Sequence, residues 1–228
     1  MYDTLLRLPL FQGICREDLT AIIEKVKLNF LKYEAGKQIV RSGERCDKLI
    51  FLLSGEITSS FSLKKDFAFV EYIQAPYPIE PYSLFGMDVY YASSYTACTD
   101  VDVLTIEKSF ISNELFKYEI FRFNYLNIIS NRMQILYSHL WKEMPTNTED
   151  KIIRFLEMHI AIPNGKKLLK IKMKELAWFL DETRLNVSKA LNVFQEKGLL
   201  TLHRKEIVIP KVELLIATGT QQRMMKNE

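Results

Sequence analysis

Long apolar runs are missing from this 228-residue sequence. No unbroken apolar run is longer than LIFLL at Leu49–Leu53, whereas a membrane-spanning helix needs about 20 such residues. The first residues, MYDTLLRLPLF, also lack the basic head and extended apolar block of a signal peptide. These two absences predict a cytoplasmic protein that has no membrane partner.

Glycine, proline, cysteine and histidine are also scarce. With 8 glycines, 7 prolines and 48% hydrophobic residues, the composition is typical of a globular chain and excludes a disordered or fibrous one. Cys15, Cys46 and Cys98 match no metal or redox spacing, so we expect three buried, unreactive thiols and no cofactor. The 3 histidines lack an acid or nucleophile at a motif spacing, so no enzyme is predicted.

The charge of the chain is unevenly distributed. Residues 1–144 carry 16 Lys and Arg against 18 Asp and Glu, whereas residues 145–228 carry 15 against 10. The basic excess is concentrated in residues 164–211, where 11 basic residues accompany 5 acidic ones. A local positive field attracts polyanions, and nucleic acid is the most common polyanion in a cytoplasm. The C-terminal part is therefore a candidate nucleic-acid-binding region.

The N-terminal half changes from a helical to a strand-like pattern. Apolar residues at helical spacing occupy most of the segment before Phe30. Short segments rich in Ile, Leu, Phe and Tyr then continue to Ile106, interrupted by glycines, which predicts an antiparallel β barrel or roll. Within it, Pro76, Pro78 and Pro81 are predicted to form one stiff, irregular loop.

A long helix is predicted from Phe116 to Met144, where Pro145 ends it. Its apolar residues recur at alternating intervals of three and four, at Leu126, Ile129, Met133, Leu136 and Leu140. This apolar seam is what a helix needs to pair with a copy of itself, so we predict a homodimer interface there. The seam could instead pack on the β-roll of its own chain, and further apolar residues allow the helix to do both.

Two short helices joined by a tight turn are predicted near the C-terminus. The first covers Glu175–Leu180, Asp181 and Glu182 form the connection, and Thr183 is suited to cap the second helix. Apolar residues of the second helix fall at inward-facing positions of one face, at Val187, Ala190, Leu191 and Phe194. Gly198 ends this helix because glycine tolerates left-handed backbone geometry. The pattern is that of a helix-turn-helix.

The outward face of the second helix is polar and basic, which suits the major groove of DNA. The residues of this helix predicted to meet DNA are Thr183, Arg184, Leu185, Asn186, Ser188, Lys189 and Asn192. Two β-prone runs follow and are joined by the basic tip His203, Arg204 and Lys205, which predicts a wing that contacts backbone phosphates. The alternative is a helix pair with a solvated face and a charged hairpin turn.

Two segments carry a family resemblance, IKMKELAWFLDETRLNVSKALNVFQEKGLL at 171–200 and FLKYEAGKQIVRSGERCDKLIFLLSGEI at 30–57. Over nearly its full length the chain resembles the cyclic-AMP receptor/fumarate–nitrate regulator (Crp/Fnr) family of bacterial transcription factors. The resemblance implies an α+β fold with a cyclic-nucleotide-binding-like β-roll (1–115), a dimerisation helix and hinge (116–145), and a winged helix-turn-helix (146–228). It also implies a homodimer on a pseudo-palindromic site in double-stranded DNA, with RNA polymerase as a further candidate partner.

By the same match, Arg184, Leu185 and Lys189 occupy the base-reading positions of the family. Leu185 departs from the acidic residue that many members carry there, and an apolar side chain favours contact with a thymine methyl group. The target sequence of other members therefore does not transfer to this chain.

The region that would bind an effector departs from the family pattern. Members that bind cyclic nucleotides carry a Gly-Glu pair and, further along, an Arg-Ser or Arg-Thr pair. Here Glu80–Tyr82 aligns with the first pair and Tyr91–Ala92 with the second, and no arginine lies between Arg45 and Arg122. Burying a phosphate without a paired cation is costly, so we do not expect the effector to be a cyclic nucleotide.

The residues predicted to line an effector pocket are Glu80, Tyr82, Tyr90 and Tyr91. The tyrosines around this loop would suit an aromatic or flat apolar ligand, or they simply fill the surface and core of the roll. An unknown small effector, a protein partner and no effector at all remain the alternatives. For the whole chain, the rival interpretation is a small-molecule sensor module that acts through protein–protein contacts.

Overall fold

The structure, a computed structural model, describes residues 2–64, 67–141 and 145–224. The chain divides into two compact units. Unit 1 consists of Met1–Ser59 and Ile73–Ile135, and unit 2 consists of Ser60–Tyr72 and Leu136–Glu228. The domain boundaries implied by the resemblance, after residues 115 and 145, remain a prediction.

The N-terminal half is built from short strands with helices before and after them. The helices are α1 (Tyr2–Leu6), α2 (Arg16–Lys25), α3 (Lys108–Asn113) and α4 (Glu119–Trp141). The strands are β1 (Asn29–Tyr33), β2 (Gln38–Val40), β3 (Lys48–Ser54), β4 (Glu56–Lys64), β5 (Phe67–Gln74), β6 (Tyr77–Ile79), β7 (Ser94–Ala97) and β8 (Val101–Glu107). The division between the units passes through β4 and β5, so that most of β5 belongs to unit 2.

The core of unit 1 lies between antiparallel strands, as the predicted β-roll requires. One sheet has the order β1–β8–β3–β6, and in the other β7 lies between β4 and β2. Residues Leu49–Leu52 of β3 are all buried, which explains the apolar run in the sequence, because a strand covered on both faces needs no alternation. Phe51 of β3 is opposite Leu104 of β8 in this core. The predicted α+β fold class is confirmed.

The proline-rich segment is more regular than the sequence predicts. Pro78 lies in β6 and is paired with Phe51 of β3, rather than in a loop. The strand tolerates a proline because β6 is at the edge of its sheet, where a missing N–H does not break a ladder on the open side. After Glu80, Pro81 begins a 3-10 turn.

The part of helix α4 that belongs to unit 1, up to Ile135, packs one face on the rest of that unit. It begins at Glu119 rather than at Phe116, because a 3-10 turn at Leu115–Lys117 and an extended Tyr118 precede it. Phe121 is buried, with its ring 5.3 Å from that of Phe11. Tyr125 is also buried, and its hydroxyl donates a hydrogen bond to the carbonyl of Pro81.

Unit 2 combines four helices of the described chain with a small sheet. The helices are α5 (Thr148–His159), α6 (Met173–Phe179) and α7 (Arg184–Glu196), followed by α8 (Val212–Met224). The strands are β9 (Lys167–Lys170), β10 (Thr201–His203) and β11 (Glu206–Ile209). Within the unit the sheet order is β10–β11–β9–β5, all antiparallel. The core draws apolar side chains from α5, α6, α7 and the strands, which is the predicted winged helix-turn-helix.

The three cysteines are free thiols that differ in exposure. Cys46 is buried, as predicted, and Cys98 is half-buried. Cys15 is exposed, so the prediction of a buried thiol is wrong there. The physical reason is its position at the start of α2, where its sulphur accepts a hydrogen bond from the amide of Asp18 at 3.5 Å and caps the helix.

Candidate nucleic-acid interface

A tight turn joins α6 to α7. Asp181 has left-handed backbone geometry, with a φ of 49°, which lets the chain reverse direction. The amide of Asp181 donates to the carbonyl of Trp178 at 3.2 Å. The amide of Glu182 donates to the carbonyl of Ala177 at 3.0 Å. Because these bonds satisfy the end of α6, α7 begins at Arg184 directly after the turn.

Both ends of α7 are formed as the sequence predicts. The hydroxyl oxygen of Thr183 accepts a hydrogen bond from the amide of Asn186 at 3.2 Å, which confirms Thr183 as the N-cap. At the other end Gly198 has a φ of 70°, and its amide donates to the carbonyl of Gln195. These two residues fix the length of the helix at Arg184–Glu196.

Helix α7 has one buried and one exposed face. The buried side chains belong to the core of unit 2 and are Val187, Ala190, Leu191 and Phe194. Of the predicted DNA-contacting residues in this helix and its cap, Ser188 is half-buried and six are exposed: Thr183, Arg184, Leu185, Asn186, Lys189 and Asn192. Leu185 is apolar and nevertheless 63% exposed.

Three of the exposed polar side chains lack partners among the residues that the structure describes. Arg184, Lys189 and Asn192 form no hydrogen bond or ion pair with another residue in the part of the chain that the structure describes. A side chain without an internal partner can meet an external group without first losing a bond. These three are therefore the side chains of α7 best prepared to contact a ligand.

A polar network that the sequence pattern did not reveal supports the start of α7. The carboxylate of Glu182 forms an ion pair with Lys151 of α5 at 2.8 Å and accepts from the side-chain amide of Asn186 at 3.1 Å. Both hydrogen bonds lower the pKa of Glu182, and the one from Lys151 has the larger effect. Asn186 is thus engaged inside the protein, and its predicted DNA contact would require a change of partner.

The wing is a short hairpin between β10 and β11. His203 is opposite Glu206, and the three tip residues His203, Arg204 and Lys205 are all exposed. Lys205 has left-handed geometry, with a φ of 63°, at the point where the hairpin turns. The side chain of Gln195 on α7 accepts from the amide of Leu202 at 2.9 Å and so connects the wing to α7.

The predicted dimer seam on α4 is largely uncovered. Leu126 is 57% exposed, Met133 is 64% exposed, Leu136 is exposed and Ile129 is half-buried. Leu140 belongs to the same helix, but its side chain lies outside the described residues. Apolar side chains with this much exposure on one helix form an unpartnered face.

Glu80 lies inside unit 1 rather than at its surface. It is 1% exposed, and its backbone is left-handed, with φ 37° and ψ 55°, which is uncommon for a residue other than glycine. Its Oε2 accepts from the amide of Ala92 at 2.8 Å and from the hydroxyl of Ser83 at 2.9 Å. Its Oε1 accepts from the amide of Ser93 at 2.8 Å and from the hydroxyl of Tyr95 at 3.2 Å.

The other residues of the predicted effector pocket are divided between core and surface. Tyr91 is buried, and its hydroxyl donates to the carbonyl of Lys48 at 3.1 Å. Burial, with a smaller effect from Cys46, raises the pKa of Tyr91 well above its ordinary value. Tyr82 and Tyr90 are exposed.

Metal-ligand clusters and membrane-spanning helices are both missing from the described residues. Within 2–64, 67–141 and 145–224, no group of three or more His, Cys, Asp or Glu is placed to hold a metal ion. Among the helices of the same ranges, none has the length and apolar character needed to span a membrane.

The fold is shared with known transcription regulators. No protein-family model matches the sequence, and no curated protein matches it either. The Catabolite Activator Protein of Thermus thermophilus is similar in structure with a TM-score of 0.52 and 19% identity, over 92% of this chain and 99% of that one. The c-di-GMP responsive global regulator CLP of Xanthomonas campestris is similar with a TM-score of 0.50 and 16% identity. The match covers 86% of this chain and 99% of that one. At these identities the similarity shows the fold, which is that of the Crp/Fnr regulators.

Proposed function

We propose that this chain is a DNA-binding transcription regulator of the Crp/Fnr type, acting as a homodimer on a pseudo-palindromic site. The observation that carries the proposal is the exposed N-terminal half of α7. Arg184, Leu185 and Lys189 are exposed there, while the opposite face of the same helix is buried. A helix that follows a tight turn and presents such a face fits the major groove of duplex DNA.

Four exposed residues of α7 and its N-cap each have a DNA group that they can meet. Arg184 can donate to both major-groove acceptors of a guanine, and Asn192 can pair with an adenine in the corresponding way. Leu185 can contact a thymine methyl group, for which its exposed apolar side chain is suited. Thr183 lies at the positive end of α7, where a phosphate is stabilised by free amides and by the helix dipole.

The wing supplies contacts that do not depend on sequence. Arg204 and Lys205 at its tip can neutralise backbone phosphates next to the groove that α7 occupies, and His203 can donate a hydrogen bond to one. The hydrogen bond from the amide of Leu202 to Gln195 links the wing to α7 within unit 2.

The seam on α4 supports a homodimer. Two copies that bury this seam would remove Leu126, Met133 and Leu136 from water, and burying one such side chain is worth about 1.5–3 kcal/mol. A twofold-symmetric dimer presents two recognition helices, which matches half-sites one helical turn apart, about 34 Å along the DNA. The pseudo-palindromic target follows from this symmetry.

The effector of the regulator is not a cyclic nucleotide under this proposal. The segment between Arg45 and Arg122 contains no arginine to neutralise a cyclic phosphate, and a buried carboxylate, that of Glu80, lies where the binding loop is expected. A small molecule of another class, contact with RNA polymerase, and action in the cytoplasm are parts of the proposal that rest on the family resemblance.

A second candidate function is a sensor module whose C-terminal unit binds a protein. Trp178 at the end of α6 is 74% exposed, and exposed tryptophan is enriched in protein interfaces. Leu185 on α7 is a second exposed apolar side chain of the same unit. The two candidates differ in how their binding responds to salt.

Salt dependence tests the proposal with the full chain. Duplexes that the protein retains are selected from a random library, and the Kd of the best one is measured at increasing salt. A dimer that neutralises about 6–10 phosphates loses roughly 10³–10⁵-fold in affinity between about 50 and 200 mM salt. A protein interface formed by the same helix gives a much shallower dependence. Failure to enrich any duplex sequence would contradict the proposal.

A further inference from the structure

The carboxylate of Glu80 is held by a symmetric set of donors. Each of its two oxygens accepts one backbone amide and one hydroxyl hydrogen bond, all between 2.8 and 3.2 Å. The two amides, of Ala92 and Ser93, are successive in the chain, and successive N–H groups of this kind form concavities that bind anions. The four donors therefore enclose a place for two oxygens of one oxyanion.

No cation takes part in this arrangement. In the parts of the chain that the structure describes, no Lys, Arg or His forms an ion pair with Glu80. The negative charge is stabilised by neutral donors alone. Burial raises the pKa of Tyr95 well above its ordinary value, and the charge of Glu80 adds to this effect. The hydroxyl of Tyr95 therefore stays a donor.

We propose that the Ala92–Ser93 turn, with Ser83 and Tyr95, is an oxyanion-binding site that the chain fills with its own Glu80 carboxylate. The left-handed backbone of Glu80 supports this, because such geometry in a non-glycine residue persists only where its surroundings hold it in place. The site accepts a small carboxylate or a phosphate group only when the carboxylate of Glu80 is removed. The proposal concerns unit 1 alone and does not rest on the proposed binding of DNA.

The test is rescue of a Glu80→Gly variant by added anions. Glycine suits the backbone at this position, and the substitution vacates a space that matches acetate. Four donors lose their acceptor, so we expect the Tm to fall by about 5–10 °C. If acetate binds the vacated site with a Kd of ~10 mM, ~100 mM acetate should raise the Tm of the variant by about 3–6 °C. The reference is chloride at equal ionic strength. Inorganic phosphate forms the second arm, which separates a carboxylate site from a phosphate site.

Matched variants separate a vacated site from a general salt effect. Glu80→Gln removes the charge but leaves no space, and wild type keeps the site filled, so neither should respond to acetate more than to chloride. Glu44→Ala removes an exposed carboxylate that accepts from the amide of Arg41 at 3.1 Å, and it should show no anion response either.

Two results would overturn the proposal. One is a folded Glu80→Gly variant that acetate and phosphate stabilise no more than chloride does, and the other is an equal response in wild type. If the variant does not fold in chloride buffer, its refolding yield in acetate is compared with that in chloride. A yield that acetate does not raise also overturns the proposal.

Discussion

Lys167 on β9 and Glu71 on β5 form a buried ion pair, with Nζ and Oε1 3.1 Å apart. Lys167 is 0% exposed, and the two residues are directly opposite in the β5–β9 ladder. Glu71 also accepts from the amides of Ala161 and Ile162, and Lys167 donates to the carbonyl of Asn164 at 2.8 Å. Burial lowers the pKa of Lys167, and the charge of Glu71 opposes that effect.

Removing the acidic member of this pair should strongly destabilise the protein. Glu71→Gln removes the carboxylate that is paired with the buried ammonium group of Lys167, which costs about 3–5 kcal/mol of unfolding free energy. Lys167→Met should lower the unfolding free energy by less than Glu71→Gln does, because Glu71 keeps its two backbone amide donors. Urea unfolding of both variants measures the difference.

The control for this pair is Glu114→Gln, which breaks the surface pair between Glu114 and Lys117. Exposed pairs contribute at most about 1 kcal/mol, so this change should be small. If Glu71→Gln cost no more than Glu114→Gln, the buried pair would not have the role described.

Stability at low pH should depend on Glu182. Its pKa is lowered in the folded chain from an ordinary value of 4.5, so the unfolded chain binds more protons between the two values. The stabilisation that the Glu182 carboxylate gives to the folded chain is therefore present above pH 4.5. It is lost as the pH falls through the lowered pKa that Glu182 has in the folded chain. The loss of stability in Glu182→Gln should be measurable at neutral pH and should disappear at lower pH in urea unfolding. Glu196→Gln, which changes an exposed carboxylate at the other end of α7, is the control variant.

Arg184→Ala should weaken sequence-specific DNA binding. Loss of a bidentate guanine contact costs about 1–3 kcal/mol and relaxes the preference at one base pair of each half-site. Selection from a random duplex library, followed by sequencing, measures that preference. An unchanged preference would remove Arg184 from the base-reading role.

Arg204→Ala, at the tip of the wing, should behave differently. Loss of a phosphate contact should weaken binding to all sequences alike and reduce the slope of log affinity against log salt by about 1. Titrations of one selected and one unselected duplex at several salt concentrations measure both effects. A change in base preference with an unchanged slope would contradict the assignment of the wing to backbone phosphates.

Met133→Asp should produce a monomer without unfolding the chain. Met133 is exposed in the single chain, so the substitution removes no internal packing, but it places a charge in the proposed dimer seam. Sedimentation shows the change of mass. Asn131→Asp, which is exposed on the side of α4 away from the seam, should remain dimeric. If Met133→Asp and Asn131→Asp sedimented with the same mass, the seam would not be the dimer interface.

Local patterns in the sequence determined the helix-turn-helix. The spacing of Val187, Ala190, Leu191 and Phe194 places them on one face of any α-helix, and the cap of Thr183 acts within one turn. Gly198 likewise acts on its own backbone. These features are correctly predicted because periodicity and capping involve residues close together in the chain. The roles of the exposed residues in binding DNA are inferred from the same pattern and remain predictions.

Other features depend on contacts between residues far apart in the chain. Residue type alone predicts that Cys15 is buried, and the nearby prolines predict a loop at Pro78 although an edge strand accepts it. No spacing in the sequence relates Glu71 to Lys167, or Glu80 to the amides of Ala92 and Ser93.

The sequence by itself determined where α7 begins and ends and which of its faces is apolar, because capping and hydrophobic periodicity act over a short distance along the chain. Only the tertiary structure decided which charged residues are buried and what satisfies them. A buried Lys167 or Glu80 looks like any surface residue in the sequence. The cost of burying such a charge is offset by donors, acceptors and counter-charges that the fold brings from distant segments.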